Sequence, residues 1–306
     1  MRQAAGQGAD ERSGQAAGQA AGESQERQSQ TRQSQQHHAP QHARPPRWRG
    51  GLVSLAVAAV VAVALALPFP ALAQNNATWE GTIDNDYYNG GNWSTGTTPG
   101  GDTEGGPGSD DIATFNDSAA QRNINITGVD NRYIGGWTIH GGNYEITVVP
   151  TTATSSLEFE GAGITVRSGS VKLINNGATR FNKRSTAGDA TITNNDSIRF
   201  YDQSSAGNAK ITNNADRFLN DEVSFFNQST AGNATITNNT GSQVLFVGDS
   251  SAENASISNA VGGIVRFGSG TALTSGRATA GNAKITNNGL LLFRALGSGG
   301  QARITN

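Results

Sequence analysis

The chain contains one short motif seven times in its second half, and this repetition limits the fold more than any other feature. The motif has the form G-x-A-x-I-T-N-N, and its clearest copy runs from Gly232 to Asn239. Successive copies begin 19 to 28 residues apart, about 22 on average. Units of this length cannot bury an apolar face alone, so they stack on one another as solenoids do. The copies occupy residues 169–176, 188–195, 207–214, 232–239, 253–259, 281–288 and 300–306.

Each copy holds apolar residues two positions apart, and a second short motif between the copies does the same. The pairs Ala234-x-Ile236 and Val244-x-Phe246 are examples. In a strand, this alternation places both apolar side chains on one face. Stacked units would then bury a row of isoleucines and a row of phenylalanines, each residue worth roughly 1.5–3 kcal/mol. The predicted core consists of Ile192, Ile211, Ile236, Ile257, Ile285, Ile304, Phe200, Phe225, Phe246, Phe267 and Phe293.

The repeat length and the alternation together predict an all-β fold, a right-handed parallel β-helix or β-solenoid. About 22 residues suit one coil in a stack whose rungs lie about 4.8 Å apart. The chain has 40 glycines and no cysteine, and no span after residue 73 shows a convincing helical period. We expect a β-rich region at 74–168 that caps and begins the solenoid, followed by the repeats proper at 169–306.

The first asparagine of each motif lies two residues after the isoleucine and therefore on the same face. It is present in all seven copies, although a turn alone would accept Asp, Ser or Gly in some of them. Stacked at a corner of the coil, these amides could each donate to the next carbonyl. The alternative to such a ladder is that asparagine occurs here only because it is favoured in turns. The predicted ladder consists of Asn175, Asn194, Asn213, Asn238, Asn259, Asn287 and Asn306.

The first 73 residues differ in composition from the rest and predict export. Residues 1–46 are rich in Gln, Ala, Gly and Arg with almost no apolar content, which predicts a disordered extension. In residues 47–73, arginines precede an apolar run, and the small residues Ala71 and Ala73 follow it. This pattern predicts a signal-peptide helix cleaved after Ala73, with an uncleaved membrane anchor as the alternative. We therefore expect export through the inner membrane, to the cell surface, the outer membrane or the medium.

Together these features resemble the passenger region of bacterial autotransporter-type outer-membrane proteins. The resemblance covers about residues 74–306 and implies surface display or adhesion, with an unidentified host or matrix glycan or protein as the ligand. It also implies a C-terminal membrane barrel; no part of this chain has about twelve alternating strands, so we expect the barrel downstream of a fragment. The resemblance rests on the signal peptide, on tandem S-T-A-G-N-A-x-I-T-N-N units, and on an opening segment with Trp79, Asn92, Trp93, Pro99, Asp111, Ala113 and Phe115.

The body of the chain offers few residues for catalysis. His140 is the single histidine after residue 73, and without cysteine it has no partner for a zinc site or a triad. The same part carries fifteen basic and twenty acidic residues, a balance that disfavours nucleic acid as a partner. We therefore predict that the protein is not an enzyme and takes no cofactor or metal.

A β-solenoid polysaccharide lyase or hydrolase is the alternative function, and it would need acids clustered on adjacent rungs. The acids near the phenylalanine strands lie at scattered offsets, which favours turn or edge roles. The basic residues that share one outward repeat position favour a solvated face. The acids are Asp202, Asp221, Glu222 and Asp249, and the basic residues are Lys172, Lys210, Lys284 and Arg303.

Two further sequence patterns, for calcium binding and for ice binding, are only weakly indicated. Carboxylates suit calcium, but the acids at 102–111 lie outside any calcium-binding repeat and fit a solvated acidic turn better. Alternate threonines at 191–193 and 235–237 hint at an ice-binding array, which the basic residues interrupt. The acids considered for calcium are Asp102, Glu104, Asp110 and Asp111.

Overall fold

The computed structural model describes residues 74–306 except 107, 128–130, 150–154, 216–221 and 270–275. The predicted extension, the signal peptide and its cleavage site at Ala71 and Ala73 lie outside the described residues, as does Asp221. Within them the chain forms one β-solenoid, and every pairing between its strands is parallel. The predicted parallel β-solenoid is therefore confirmed.

The described residues form seventeen strands, and the one helical element among them is the 3₁₀ turn Gly90–Asn92. No helix in the described part of the chain has the length and apolar character needed to span a membrane. The strands are β1 Ala77–Thr78, β2 Ile112–Asn116, β3 Asn123–Thr127, β4 Arg132–Val149, β5 Ser156–Asn175, β6 Ala178–Phe181, β7 Thr191–Asn194, β8 Ser197–Phe200, β9 Lys210–Asn213, β10 Val223–Phe225, β11 Thr235–Asn238, β12 Gln243–Phe246, β13 Ser256–Asn259, β14 Ile264–Phe267, β15 Lys284–Asn287, β16 Leu290–Phe293 and β17 Arg303–Thr305.

Each coil of the repeat region has three faces. Face 1 is formed by the phenylalanine strands β6, β8, β10, β12, β14 and β16, and face 3 by the motif strands β7, β9, β11, β13, β15 and β17. The long strands β4 and β5 contribute to all three faces of the earlier coils. Face 2 is a column of single-residue parallel bridges at Thr186, Ser205, Thr230, Ser251, Thr279 and Ser298.

Buried and exposed side chains alternate along the motif, as expected for a strand with one buried face. In β11, Ile236 is buried and Thr235 is exposed, and Ala234 and Asn238 are buried on the same side as Ile236. Equivalent residues pair in register from coil to coil, so the isoleucines lie directly above one another. The repeated sequence thus gives every coil the same cross-section, and stacking creates the continuous core.

Two predicted core residues are not buried. Phe293 and Ile304 are each 38% exposed, whereas the other nine predicted core side chains are at most 2% exposed. The physical reason is their place in the final described coil, where packing comes from the preceding coil alone. Phe293 still stacks on Phe267 at 5.2 Å between ring centroids.

The phenylalanines of face 1 form one continuous aromatic stack inside the solenoid. Consecutive ring centroids lie 4.6 to 5.2 Å apart, with interplanar angles of 5 to 11°. The spacing follows the rung spacing of about 4.8 Å, so identical side chains on adjacent coils must lie face over face. The stack runs through Phe159, Phe181, Phe200, Phe225, Phe246, Phe267 and Phe293.

An aromatic cluster of different geometry closes the N-terminal end of the core. Trp93 packs edge to face against Trp79, Tyr87 and Phe115, with centroids 4.9 to 5.9 Å apart. The indole of Trp79 donates to the Gln121 carbonyl at 2.8 Å, and that of Trp93 donates to the Tyr87 carbonyl at 2.8 Å. These large side chains bury apolar area while their polar atoms stay paired, which suits the end of a coil stack.

Each motif begins at a tight turn that needs a left-handed residue. Gly232 has φ +59°, and a Cβ there would lie 2.8 Å from the Gly207 carbonyl oxygen. Glu253 occupies the same turn position with φ +45°. A non-glycine residue in this region costs roughly 1–2 kcal/mol.

We therefore expect Glu253→Gly to stabilise the protein by about 0.5 kcal/mol, because relief of backbone strain exceeds the added entropy of the unfolded chain. Denaturant unfolding followed by circular dichroism measures this. The matched control is Asn254→Gly at the next residue, which has no left-handed strain to relieve and should lose stability. A loss of stability in Glu253→Gly would contradict the prediction.

Candidate functional site

The seven predicted ladder asparagines form one column at the end of the face 3 strands. The Nδ2 of the first six donates to the Oδ1 of the equivalent asparagine in the next coil, at 2.7 to 3.1 Å. The second amide proton goes to backbone carbonyls at the corner, for example from Asn213 to Gln243 at 2.9 Å. Because its amide groups are used internally, the column fixes the stacking of coils and offers nothing to a ligand. The column runs through Asn175, Asn194, Asn213, Asn238, Asn259, Asn287 and Asn306.

Two more amide columns lie on the outside of the solenoid, and sequence reasoning missed both. The second asparagine of the motif bonds between coils at 2.6 to 3.1 Å, from Asn239 to Asn214 and onward to Asn176. The residue after the turn glycine forms the other column, at 3.0 to 3.4 Å. The repeated N-N and G-N pairs in the motif carried this signal. The column at the residue after the turn runs through Asp189, Asn208, Asn233, Asn254 and Asn282.

Face 3 presents an exposed and regular outer surface. The basic residues predicted to share one outward position do so, in register with Thr191, Thr235 and Ser256. All seven side chains are exposed. No acid or base converges on another here among the described residues, apart from the exposed pair of Lys172 with Glu145 at 2.9 Å.

The candidate calcium acids do not converge. Asp111 is buried and accepts from the backbone N–H groups of Asn75 at 2.6 Å and Gly100 at 2.9 Å, so it holds the N-terminal loops together. Asp102, Glu104 and Asp110 are exposed. In the ranges that the structure describes, no three His, Asp or Glu side chains could share a metal ion. His140 is exposed at the end of the face 2 part of β4.

The acids near the phenylalanine strands have local roles. Asp202 accepts from the Lys183 backbone N–H at 3.0 Å, and Asp249 from that of Arg277 at 2.9 Å. Glu222 accepts from the Gln243 side-chain amide at 2.7 Å. Asp202 and Asp249 therefore link one coil to the next at the turns that follow face 1.

The structure does bring two other carboxylates together. Glu158 and Glu160 point outward from β5 on face 1, yet their side chains are only 6% and 1% exposed. Both accept from the Nδ2 of Asn182, at 2.9 and 2.8 Å. They line a cleft of about 360 Å³. Sequence reasoning missed this pair, because Asn182 and the cations around it belong to the next coil.

Cations and hydroxyls surround the two carboxylates. Arg180 forms an ion pair with Glu158, which also accepts from Ser156 Oγ at 2.6 Å. Lys183 Nζ lies 2.5 Å from Glu160 Oε2. Burial raises the pKa of the nearby Tyr133 phenol, and the negative charge of Glu158 adds to the increase. Three of the four carboxylate oxygens accept hydrogen bonds, whereas Glu160 Oε2 accepts none and is balanced only by the charge of Lys183. These contacts allow two charges to be buried side by side.

The cleft continues along the corner that follows face 1. Tyr201 lies in register after Glu160 and Asn182, and its ring stacks on Phe226 at 5.0 Å with an interplanar angle of 10°. Both aromatic side chains are half-buried on the outside of the coil. A second cleft of about 390 Å³ adjoins the first at Asp202. We call the two clefts and the aromatic pair the corner groove; the second cleft is lined by Asp202, Gln203, Asn227, Gln228, Gly248 and Asp249.

The fold and these columns define a class of protein, the parallel β-solenoid with internal amide and aromatic stacks. No protein-family model matches the chain, and neither a curated protein nor a solved structure matches it significantly. Evidence for function must therefore come from the solenoid surface itself.

Proposed function

We propose that the protein is an exported passenger of the cell surface, which displays a β-solenoid rod for adhesion or surface interaction. The observation that carries the proposal is the contrast between the inward and the outward positions of each coil. Inward positions repeat Ile, Phe, Ala and Asn, and are pinned by continuous stacks, whereas outward positions vary among Lys, Thr, Ser and Arg. A rigid scaffold with a freely variable surface suits display better than catalysis.

Expression of the full chain, fused to a C-terminal translocator barrel, in a Gram-negative host tests this function, because a passenger needs such a barrel to cross the outer membrane. Intact cells are treated with a protease that cannot cross the outer membrane, and a periplasmic protein serves as the control for leakage. The proposal predicts that the solenoid epitope is accessible on intact cells or released into the medium. It also predicts that producing cells adhere to a matrix- or glycan-coated surface more than cells without the chain. A chain that stays in the cytoplasm would overturn the proposal.

Export also predicts a defined N-terminus for the mature protein. We expect mass spectrometry of the exported chain to show Gln74 as its first residue, since Ala71 and Ala73 provide the small side chains that signal peptidase needs. Ala73→Arg should leave most of the chain uncleaved. Gln74→Asn, just past the cleavage point, is the matched control and should be processed normally. An exported chain that retains residues 47–73 would favour the uncleaved anchor instead.

A β-solenoid lyase or hydrolase is the second candidate, and the paired carboxylates of Glu158 and Glu160 favour it. Paired carboxylates in a cleft are the groups that glycosidases use. Here, however, their oxygens are already occupied by Arg180, Lys183, Asn182 and Ser156. Turnover of a glycan panel that is lost in Glu160→Gln and kept in Glu145→Gln would favour the enzyme over the display protein.

A further inference from the structure

We propose that the corner groove binds an uncharged oligosaccharide chain laid along the solenoid axis. This inference rests on the proposed display function and gives that function a ligand class and a site. The groove crosses successive coils, because its lining residues after Phe181, Phe200, Phe225 and Phe246 occupy equivalent positions. A groove that extends along the stack fits a chain of repeating units rather than a single small molecule.

An apolar platform begins at Tyr201, which lines the first cleft, and continues onto Phe226 of the next coil. Tyr201 and Phe226 are the outward residues of two adjacent coils, and they stack on each other where a solvated face would carry polar residues. Partly exposed aromatic rings are typical of binding surfaces, because they bury a large apolar area with little loss of side-chain entropy. The apolar C–H face of a sugar ring is a suitable partner for such a platform.

Polar groups line both clefts of the corner groove. Lys183 and Asp202 lie toward the first cleft, and Gln203, Gln228 and Asp249 line the second. They supply both donors and acceptors at the surface, which is the mixture that sugar hydroxyls require. An aromatic surface with amides and carboxylates around it is therefore matched to a saccharide on its apolar and its polar sides.

The charge of the groove selects against acidic polymers. The first cleft contains four carboxylates, from Glu104, Glu158, Glu160 and Asp202, against two cations, Arg180 and Lys183. Asp249 adds a further negative charge in the second cleft. A polyanion would meet net repulsion along this surface, so we infer an uncharged ligand.

The pairing of the face 1 strands disfavours a peptide as the ligand of the groove. A peptide that binds to a sheet adds a strand at a free edge. On face 1, however, the internal strands β8, β10 and β12 each pair with a strand on both sides. The groove therefore has no backbone edge to offer, and recognition must come from side chains.

Titration calorimetry and competition binding on the exported, purified chain test this inference. The probes are cello-, chito- and manno-oligosaccharides, with heparin and polygalacturonate as the acidic comparators and an extended peptide library as the protein comparator. We expect binding to at least one uncharged oligosaccharide, and about tenfold weaker binding in Tyr201→Ala. The conservative variant Tyr201→Phe should retain most of the affinity. Thr235→Ala, on the exposed surface of face 3, should bind as the unchanged protein does.

The outcomes separate this inference from the proposed display function. Failure of every uncharged probe, preference for the polyanions or the peptides, or unchanged binding in Tyr201→Ala would each overturn the saccharide groove. Circular dichroism of Tyr201→Ala must show intact strands, so that lost binding reports on the groove. If producing cells still adhere while the oligosaccharides do not compete, the display function stands and the groove assignment is wrong. A chain that binds through Tyr201 but never reaches the surface would support the groove and overturn the display function.

Discussion

Ile236→Asp is expected to unfold the solenoid, whereas Thr235→Asp, one residue earlier, is expected to leave it almost unchanged. Ile236 is fully buried in β11, between Ile211 and Ile257 of the adjacent coils. A carboxylate there would be an unpaired charge in an apolar row, at a cost of more than about 4 kcal/mol. The Thr235 side chain is exposed, and its replacement should change the free energy of unfolding by less than about 0.5 kcal/mol.

Circular dichroism during denaturant unfolding measures the difference. Ile236→Val provides an intermediate case, because it removes one buried methyl group and should cost about 0.5–1.5 kcal/mol. Similar losses in Ile236→Asp and Thr235→Asp would mean that the faces of the motif strand are assigned the wrong way round.

Asn238→Ala is the second large effect that we expect, with a loss of about 2–4 kcal/mol. Asn238 is buried, accepts from Asn213 at 2.9 Å and donates to Asn259 at 2.8 Å. Its Nδ2 also bonds the carbonyls of Ser242 and Ile264 at the corner. Alanine would leave the Asn259 carbonyl oxygen buried without its donor, and each orphaned group costs about 1–3 kcal/mol.

Asn239→Ala is the matched control for the ladder. Asn239 is the same residue type at the next position, and its amide also bonds between coils, to Asn214 at 2.6 Å. Asn239 is half-exposed, however, so water can replace the lost partner and the expected cost is below about 1 kcal/mol. Equal costs for the two alanine variants would show that the buried column contributes no more than the outer one.

Much of the coil could be predicted because its information is local and repeated. The alternation in Ala234-x-Ile236 selects which side chains face inward, and a motif copied seven times makes that choice the same in every coil. Identical residues at a constant offset must then meet, which is why one Asn or Phe per repeat becomes a column. The last described coil departs from this rule, since Phe293 and Ile304 follow the motif yet remain partly exposed there.

The corner groove could not be predicted in this way. Tyr201 and Phe226 stack through the same register as Phe200 and Phe225, the phenylalanines that directly precede them. The residues of the next coil that surround Glu158, however, lie 22 to 24 positions later in the chain. Their meeting depends on the length of each coil and on where insertions fall. Nothing local to Glu158 and Glu160 shows that neighbours from the next coil bury them.

The amino-acid sequence by itself therefore determined the fold class, the inward rows and the buried asparagine column, because each depends on a pattern contained within a single repeat. Tertiary structure alone decided which outward side chains share a surface. That decision requires the register between coils of unequal length, and this register is fixed by the packing of the whole stack rather than by any one segment. The buried carboxylate pair and the aromatic platform beside it are consequences of that packing.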